Sequence, residues 1–132
     1  MKRLLLLLLG GFISCGLMTG CLESVPLEVR VNQTYNGQAI TLQQGQELVI
    51  DLERDSSAAR THTWRIVSGG MQVFGEPATK TLESQHTIVD RYTFTALFVG
   101  SDQLRMEEQS QQNGGAGGAD NRVFTLNITV TK

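Results

Sequence analysis

The segment YTFTALF, residues 92–98, decides the fold class, because its apolar side chains recur at every second position from Tyr92 to Phe98. A period of two places those side chains on one face of an extended strand. The last segment of the chain, residues 124–130, repeats the alternation with Phe124 and three aliphatic residues. Both segments therefore predict β-strands that have one buried face and one polar face.

Four shorter segments carry the same alternation. They are centred on Ile40 and Leu42, on Leu48, Ile50 and Leu52, on Trp64 and Ile66, and on Leu104 and Met106. Turn-forming residues separate the segments at 44–46, 68–70 and 100–102. No stretch after residue 20 carries apolar residues at helical spacing over three turns. The sequence predicts an all-β domain, built as an antiparallel sandwich or barrel.

The aromatic residues on these faces are expected to form the core. Trp64, Phe94 and Phe124 are predicted to be structural core residues, and Phe98 joins them by the same periodicity. Aromatic side chains at alternating positions pack between sheets more often than they bind a ligand. The polar run 54–63 and the low-complexity run 109–118 (QSQQNGGAGG) are predicted to be loops, because neither can bury apolar surface.

Composition and charge exclude two classes of protein. The chain has 132 residues, 40% of them hydrophobic and 18% charged, which is typical of one folded domain and not of a disordered chain. Its formal net charge is −2, and loss of Lys2 and Arg3 with a leader would change it to −4. An acidic domain of this kind has no electrostatic footprint for nucleic acid, so DNA and RNA binding are not expected.

The N-terminus is typical of a secretory signal, with two basic residues before an apolar run that extends to Ile13. A membrane-spanning helix is the alternative, but glycines and a serine interrupt the run before it reaches the required length of about 20 residues. The residues that follow, Leu17-Met18-Thr19-Gly20-Cys21, resemble the bacterial lipobox. We expect residues 1–20 to be a lipoprotein signal peptide, and an ordinary signal peptide is the alternative.

Cys21 is the predicted lipidation site, carrying acyl chains such as palmitate that hold the protein on a membrane. Leu22 follows it where an inner-membrane lipoprotein would have Asp, so the expected location is the bacterial cell envelope, on the outer membrane. Residues 21–34 are predicted to be the lipidated cysteine and a tether, and residues 35–132 the folded domain. The only other cysteine, Cys15, leaves with the signal, so no disulfide and no Cys-based site is expected.

The sequence carries no catalytic constellation. His62 and His86 lie apart, without a second metal ligand at close spacing. Ser56 and Ser57 lack the context of a nucleophile elbow. The run from Gly114 to Asp120 differs in spacing from calcium-binding glycine–aspartate turns and occurs once. We therefore expect no metal, no cofactor and no enzymatic activity.

Five segments in order resemble the chagasin-type inhibitors of papain-like cysteine peptidases. They are residues 35–45 (YNGQAITLQQG), residues 48–52 (LVIDL), Trp64 with Gly69-Gly70, residues 92–96 with Gly100, and residues 122–128 (RVFTLNI). The resemblance runs from Gly37 to Val130. It implies an immunoglobulin-like antiparallel β-sandwich that presents three loops at one end, where they block a peptidase cleft without being cut.

By this resemblance the three loops are Asp55–Thr63, Thr79–Thr87 and Glu107–Asn121. The candidate inhibitory residues are Ser57, Ala58, Ala59, Arg60 and Thr61 in the first loop and Gly114 and Gly115 in the third. Residues 57–61 stand where the family has N-P-T-T-G, so the proline that restrains φ is missing and Thr61 replaces a glycine. The glycine motif of the second loop and the R-P-W motif of the third are also absent.

The resemblance implies reversible steric inhibition of a papain-like cysteine peptidase, and the lipobox adds the lipid anchor; a monomer is expected. Loss of the proline predicts weaker inhibition than the family shows, because preorganised loops bind at lower entropic cost. The alternative is a structural or assembly lipoprotein whose immunoglobulin-like domain binds another envelope protein. A small enzyme ranks last.

Overall fold

A computed structural model describes residues 26–56, 61–110 and 121–132, and within them eight strands form two four-stranded sheets. The strands are β1 Glu28–Asn32, β2 Gln38–Gln43, β3 Glu47–Glu53, β4 His62–Ser68, β5 Ala78–Glu83, β6 Ile88–Thr95, β7 Gly100–Ser110 and β8 Val123–Thr131. A 3-10 turn, Gln33–Tyr35, joins β1 to β2. None of the helical structure in these ranges is long and apolar enough to cross a membrane.

The strand order is β1-β3-β6-β5 in one sheet and β2-β8-β7-β4 in the other. Four of the six pairings are antiparallel, which confirms the predicted sandwich. The other two, β1 with β3 and β2 with β8, are parallel. Both parallel pairs arise because the chain leaves the first sheet after β1, crosses at the 3-10 turn, and joins the second sheet as β2.

The core lies between the two sheets and is filled by the alternating residues. Trp64, Phe94 and Phe124 are each 2% exposed or less and belong to one continuous apolar cluster. The ring of Phe94 packs against that of Phe74, with centroids 4.8 Å apart. Large buried aromatic side chains of this kind supply much of the apolar area that stabilises a domain without a disulfide.

Two predictions from the sequence are wrong. Residues 28–32 do not belong to a tether, because Glu28–Asn32 is strand β1 and Val31 is buried in the core. Phe98 is not a core residue, since it is 55% exposed. Strand β6 ends at Thr95 and the chain turns after Ala96, so the period of two stops before it reaches Phe98.

The connection between β4 and β5 begins with a turn that requires glycine. Gly69 has a φ of 83°, and a Cβ on it would lie 1.6 Å from the carbonyl oxygen of Gln103. The next residues are held by Asp102, whose Oδ2 accepts from the N–H groups of Gly70 (2.8 Å) and Gln72 (3.1 Å). The glycine pair therefore lets the chain pass directly over strand β7.

Candidate functional site

The three loops predicted to act together do start and end at one pole of the sandwich. Glu53, the last residue of β3, pairs with Val89 near the start of β6. His62, the first residue of β4, pairs with Ser110 at the end of β7. The ends of β3, β5 and β7 thus share one pole, which we call the loop pole. The crossover from β1 to β2 also lies there, where Gln33 Nε2 donates to the carbonyl oxygen of Glu53.

A buried ion pair lies beneath the loop pole and links the end of β3 to β6 within one sheet. Arg54 follows β3, and its Nε and Nη2 donate to the two oxygens of Asp90 at 2.8 and 2.7 Å. Both side chains are less than a tenth exposed. Asp90 also accepts from the Trp64 N–H at 3.0 Å and from the Thr63 hydroxyl at 3.1 Å. A carboxylate in β6 therefore fixes where the loop from β3 enters β4.

The ionisation of this pair follows from its surroundings. Burial raises the pKa of Asp90, but the hydrogen bonds from Arg54 and from the Trp64 N–H outweigh it and leave that pKa below its usual range. The hydrogen bond to Asp90 raises the pKa of Arg54 above its usual value. Both side chains carry charge at neutral pH, and each is the other's principal partner.

Strand β4 lies at the edge of its sheet, and Asp90 and Tyr92 form hydrogen bonds with its backbone at Trp64. The Trp64 N–H donates to Asp90, and the carbonyl oxygen of Trp64 accepts from the Tyr92 hydroxyl at 2.6 Å. Both backbone groups are thereby satisfied by β6 of the opposite sheet. Burial and the nearby Asp90 carboxylate raise the pKa of Tyr92, so its hydroxyl stays protonated and donates. An edge strand covered in this way does not offer its backbone to another chain at this point.

A second ion pair fixes the third loop to the first. Glu108, on β7, is buried, and its Oε2 accepts from the Asp55 N–H at 2.8 Å. Its Oε1 accepts from Arg122 Nε at 2.7 Å, across the residues that join β7 to β8. The Glu108 N–H in turn donates to the Arg122 carbonyl oxygen at 3.0 Å. One carboxylate therefore ties the start of the first loop to both ends of the third.

The end of β3 is held by three donors. The carbonyl oxygen of Glu53 accepts from Trp64 Nε1, from Arg122 Nη2 and from Gln33 Nε2 at distances from 2.7 to 3.1 Å. The Arg122 guanidinium also lies over the Trp64 ring, 5.4 Å from its centroid. A cavity of about 290 Å³ opens beside this contact, lined by Gln33, Asn36, Trp64, Arg122, Val123 and Phe124. The bases of the loops are therefore rigidly positioned, as a surface that binds a partner without rearrangement requires.

The structure places only some of the predicted loop residues. Thr61 is exposed beside the start of β4, with its hydroxyl 3.0 Å from His62 Nδ1. Residues 57–60, which include Arg60, lie outside the described residues, as do Gly114, Gly115 and the predicted lipidation site Cys21.

Two of the predicted loop boundaries are wrong. The second loop is shorter than Thr79–Thr87, because Ala78–Glu83 is strand β5 and only residues 84–87 form a turn. The third does not begin at Glu107, because β7 continues to Ser110 and buries Glu107, Glu108 and Gln109. Ion pairs with Arg105 and Arg122 compensate the two buried carboxylates, so their charges do not end the strand.

Four charged residues that organise this pole were not predicted from the sequence. Arg54, Asp90, Glu108 and Arg122 pair across 36 and 14 residues of chain, and no local motif marks such distant partners. One signal was present, since Asp90 and Glu108 stand on the apolar faces of their strands. Within the described ranges no group of three His, Cys, Asp or Glu side chains could hold a metal ion.

No protein-family model and no curated protein sequence matches this chain. Solved structures do match it. The cysteine protease inhibitor EhICP2 from Entamoeba histolytica aligns with a TM-score of 0.64 at 12% identity, over 78% of this chain and 94% of the inhibitor. Amebosin aligns with a TM-score of 0.64 at 17% identity, over 81% of this chain and 100% of that protein.

At 12% and 17% identity, these structural alignments establish only the fold of the chain. The resemblance read from the five sequence segments is thus confirmed at the level of architecture: the chain folds as the chagasin-type cysteine protease inhibitors do.

Proposed function

We propose that this chain is a lipid-anchored envelope protein that inhibits papain-like cysteine peptidases by placing the loops of its loop pole in the active-site cleft. The observation that carries the proposal is that three connections meet at one pole of a sandwich with the fold of EhICP2, a cysteine protease inhibitor. A cleft is concave, and several loops at the tip of a rigid body fit it as no flat sheet face can. The blockade is steric, so no bond forms or breaks.

The ion pairs under the loops support this function physically. Arg54 with Asp90 and Glu108 with Arg122 hold the bases of the first and third loops in one arrangement before a partner binds. Binding by preorganised loops avoids part of the ordering cost of association. These buried contacts offset part of what the chain loses without the proline of the family's first loop.

The experiment is a titration of papain with the full chain in detergent, with peptide hydrolysis as the readout. Thr61→Glu puts a carboxylate at the loop pole, and Met71→Glu puts one on an exposed position at the opposite pole. We expect the unmodified chain to inhibit, Thr61→Glu to weaken inhibition at least tenfold, and Met71→Glu to leave it unchanged. Equal effects of the two variants, or no inhibition across a panel of papain-like enzymes, would overturn the proposal.

A further inference from the structure

The pole opposite the loops carries an exposed apolar surface that the inhibitor function does not use. Leu97, Phe98 and Val99 are 43%, 55% and 52% exposed in the connection from β6 to β7, and Met71 is 63% exposed. Leu27, just before β1, is 82% exposed. We call these five residues the apolar pole. Isolated apolar side chains on a surface are ordinary, but three in succession with others nearby mark a site of contact.

Hydrogen bonds show that these residues come from neighbouring connections. The N–H groups of Leu97 and Phe98 both donate to the carbonyl oxygen of Val73, in the turn that contains Met71. Gln44 Nε2 donates to the Leu97 carbonyl oxygen at 2.7 Å. Leu27 joins the same pole, because its carbonyl oxygen accepts from the Glu47 N–H at the start of β3. The apolar pole is therefore held in place by the fold.

The chain enters the domain at this pole. Strand β1 runs parallel to β3, so Leu27 lies beside the start of β3 and far from the loops. Cys21 is six residues before Leu27. Six residues span at most about 20 Å even when fully extended. A lipid on Cys21 would therefore keep the apolar pole, and not the loop pole, next to the membrane.

From this geometry we infer that the apolar pole inserts into the lipid bilayer surface, so that the domain stands on the membrane with its loops pointing away. The inference rests on the lipid anchor of the proposed function but not on inhibition. The lipid anchor holds the apolar pole near the membrane. Transfer of the five apolar side chains from water into the bilayer then stabilises the bound state. Glu47, Glu76 and Lys132 are exposed at this pole, so the pole has no excess of positive charge that would attract anionic headgroups.

The orientation has a consequence for the loops. Strand β7 has 11 residues and runs from the apolar pole to the loop pole. At about 3.3 Å per residue it spans roughly 35 Å. A domain standing on its apolar pole thus presents its loops well clear of the headgroups, where a soluble peptidase can reach them.

Single-cysteine labelling tests the orientation directly. The lipidated chain is reconstituted in phosphatidylcholine vesicles with Val99→Cys or Thr61→Cys, each labelled with an environment-sensitive fluorophore. Nitroxides on the lipid acyl chains should quench the label at position 99 at least threefold more than the label at position 61. Equal quenching, or stronger quenching at position 61, would overturn the inference. An unacylated Cys21, seen by intact mass, would overturn it as well.

A double variant separates insertion from simple proximity. Phe98→Ser with Met71→Ser changes two exposed side chains, so it should leave thermal unfolding unchanged and reduce quenching at position 99 severalfold. Unreduced quenching would contradict insertion. If sedimentation of the Cys21→Ser chain reveals a dimer that the double variant abolishes, a second copy occupies the apolar pole and the inference fails. Papain inhibition is measured on the same samples, so its loss with quenching intact counts against the proposed function alone.

Discussion

At the scale of single residues, Asp90 determines how the loop pole is built. Its two oxygens accept from Arg54, from the Trp64 backbone and from the Thr63 and Thr81 hydroxyls, so one side chain contacts three other strands or loops. Removing one partner of a buried ion pair leaves the other charge uncompensated. Stability at this pole therefore depends on Asp90 more than on any exposed ion pair.

Asp90→Asn is expected to lower the free energy of unfolding by about 3 kcal/mol, the typical cost of breaking a buried ion pair from one side. Urea denaturation of the Cys21→Ser chain measures the change. Asp51→Asn is the matched control, because Asp51 also binds an arginine through two hydrogen bonds but is more than a quarter exposed. It should cost less than about 1 kcal/mol. An equal decrease in the free energy of unfolding for the two variants would show that burial of the Arg54–Asp90 pair does not add to its contribution.

The pH dependence of stability follows from the direction of the Asp90 pKa. Because that pKa is lowered by folding, the carboxylate stabilises the folded state at pH values above about 4, the unfolded pKa of Asp. This contribution is lost as the pH falls through the lower folded value. Denaturation between pH 2 and 6 should show the difference between the unmodified chain and Asp90→Asn narrowing with acid. A constant difference would contradict this assignment.

At the scale of elements, the turn after β4 depends on glycine in two distinct ways. Gly69 has a positive φ and also lies against the backbone of Gln103, whereas Gly45 has a positive φ and open space around it. Gly45→Ala should cost about 1 kcal/mol, for the left-handed backbone alone. Gly69→Ala should cost several times more or prevent folding, as denaturant midpoints or soluble yield would show. Similar costs would mean that the close approach to β7 relaxes easily.

The alternation of apolar and polar residues predicted the strands that have one buried face. It missed the strands that have no such face. Strands β3, β6 and β8 carry clear apolar faces and were expected. Strand β5, ATKTLE, is an edge strand with five of its six residues exposed, so it has no apolar pattern to read. Strand β1 pairs with β3 alone and buries only Val31, which is too little to separate it from a tether.

Only the location of the candidate site could be predicted from the sequence. The family resemblance implied three loops at one pole, and the registers of β3 with β6 and β4 with β7 agree with this. The contacts that hold the pole could not be predicted, because Arg54 meets Asp90 only once β3 has paired with β6, and Asp55 meets Glu108 only after the sheets have packed. A charged residue on the apolar face of a strand, as at Asp90, indicates a partner of opposite charge elsewhere in the chain.

At the scale of the whole molecule, the sandwich has two poles with different chemistry. One pole presents loops whose bases are fixed by ion pairs, and the other presents apolar side chains beside the chain's entry. Strand β7 connects the two, so a single rigid body can face a membrane and a peptidase at once. In the function proposed above, the apolar pole positions the protein on the membrane and the loop pole binds the peptidase.

The most direct test of this account is whether the chain shields the catalytic thiol of a papain-like peptidase. After residue 21 this chain has no cysteine, so with residues 1–20 removed and Cys21 acylated or replaced by Ser, iodoacetamide reacts with the peptidase alone. We predict that a stoichiometric amount of the chain slows alkylation of the catalytic cysteine at least tenfold, and that dilution restores the rate. An unchanged alkylation rate, with or without loss of peptide hydrolysis, would show that the loops do not occupy the cleft.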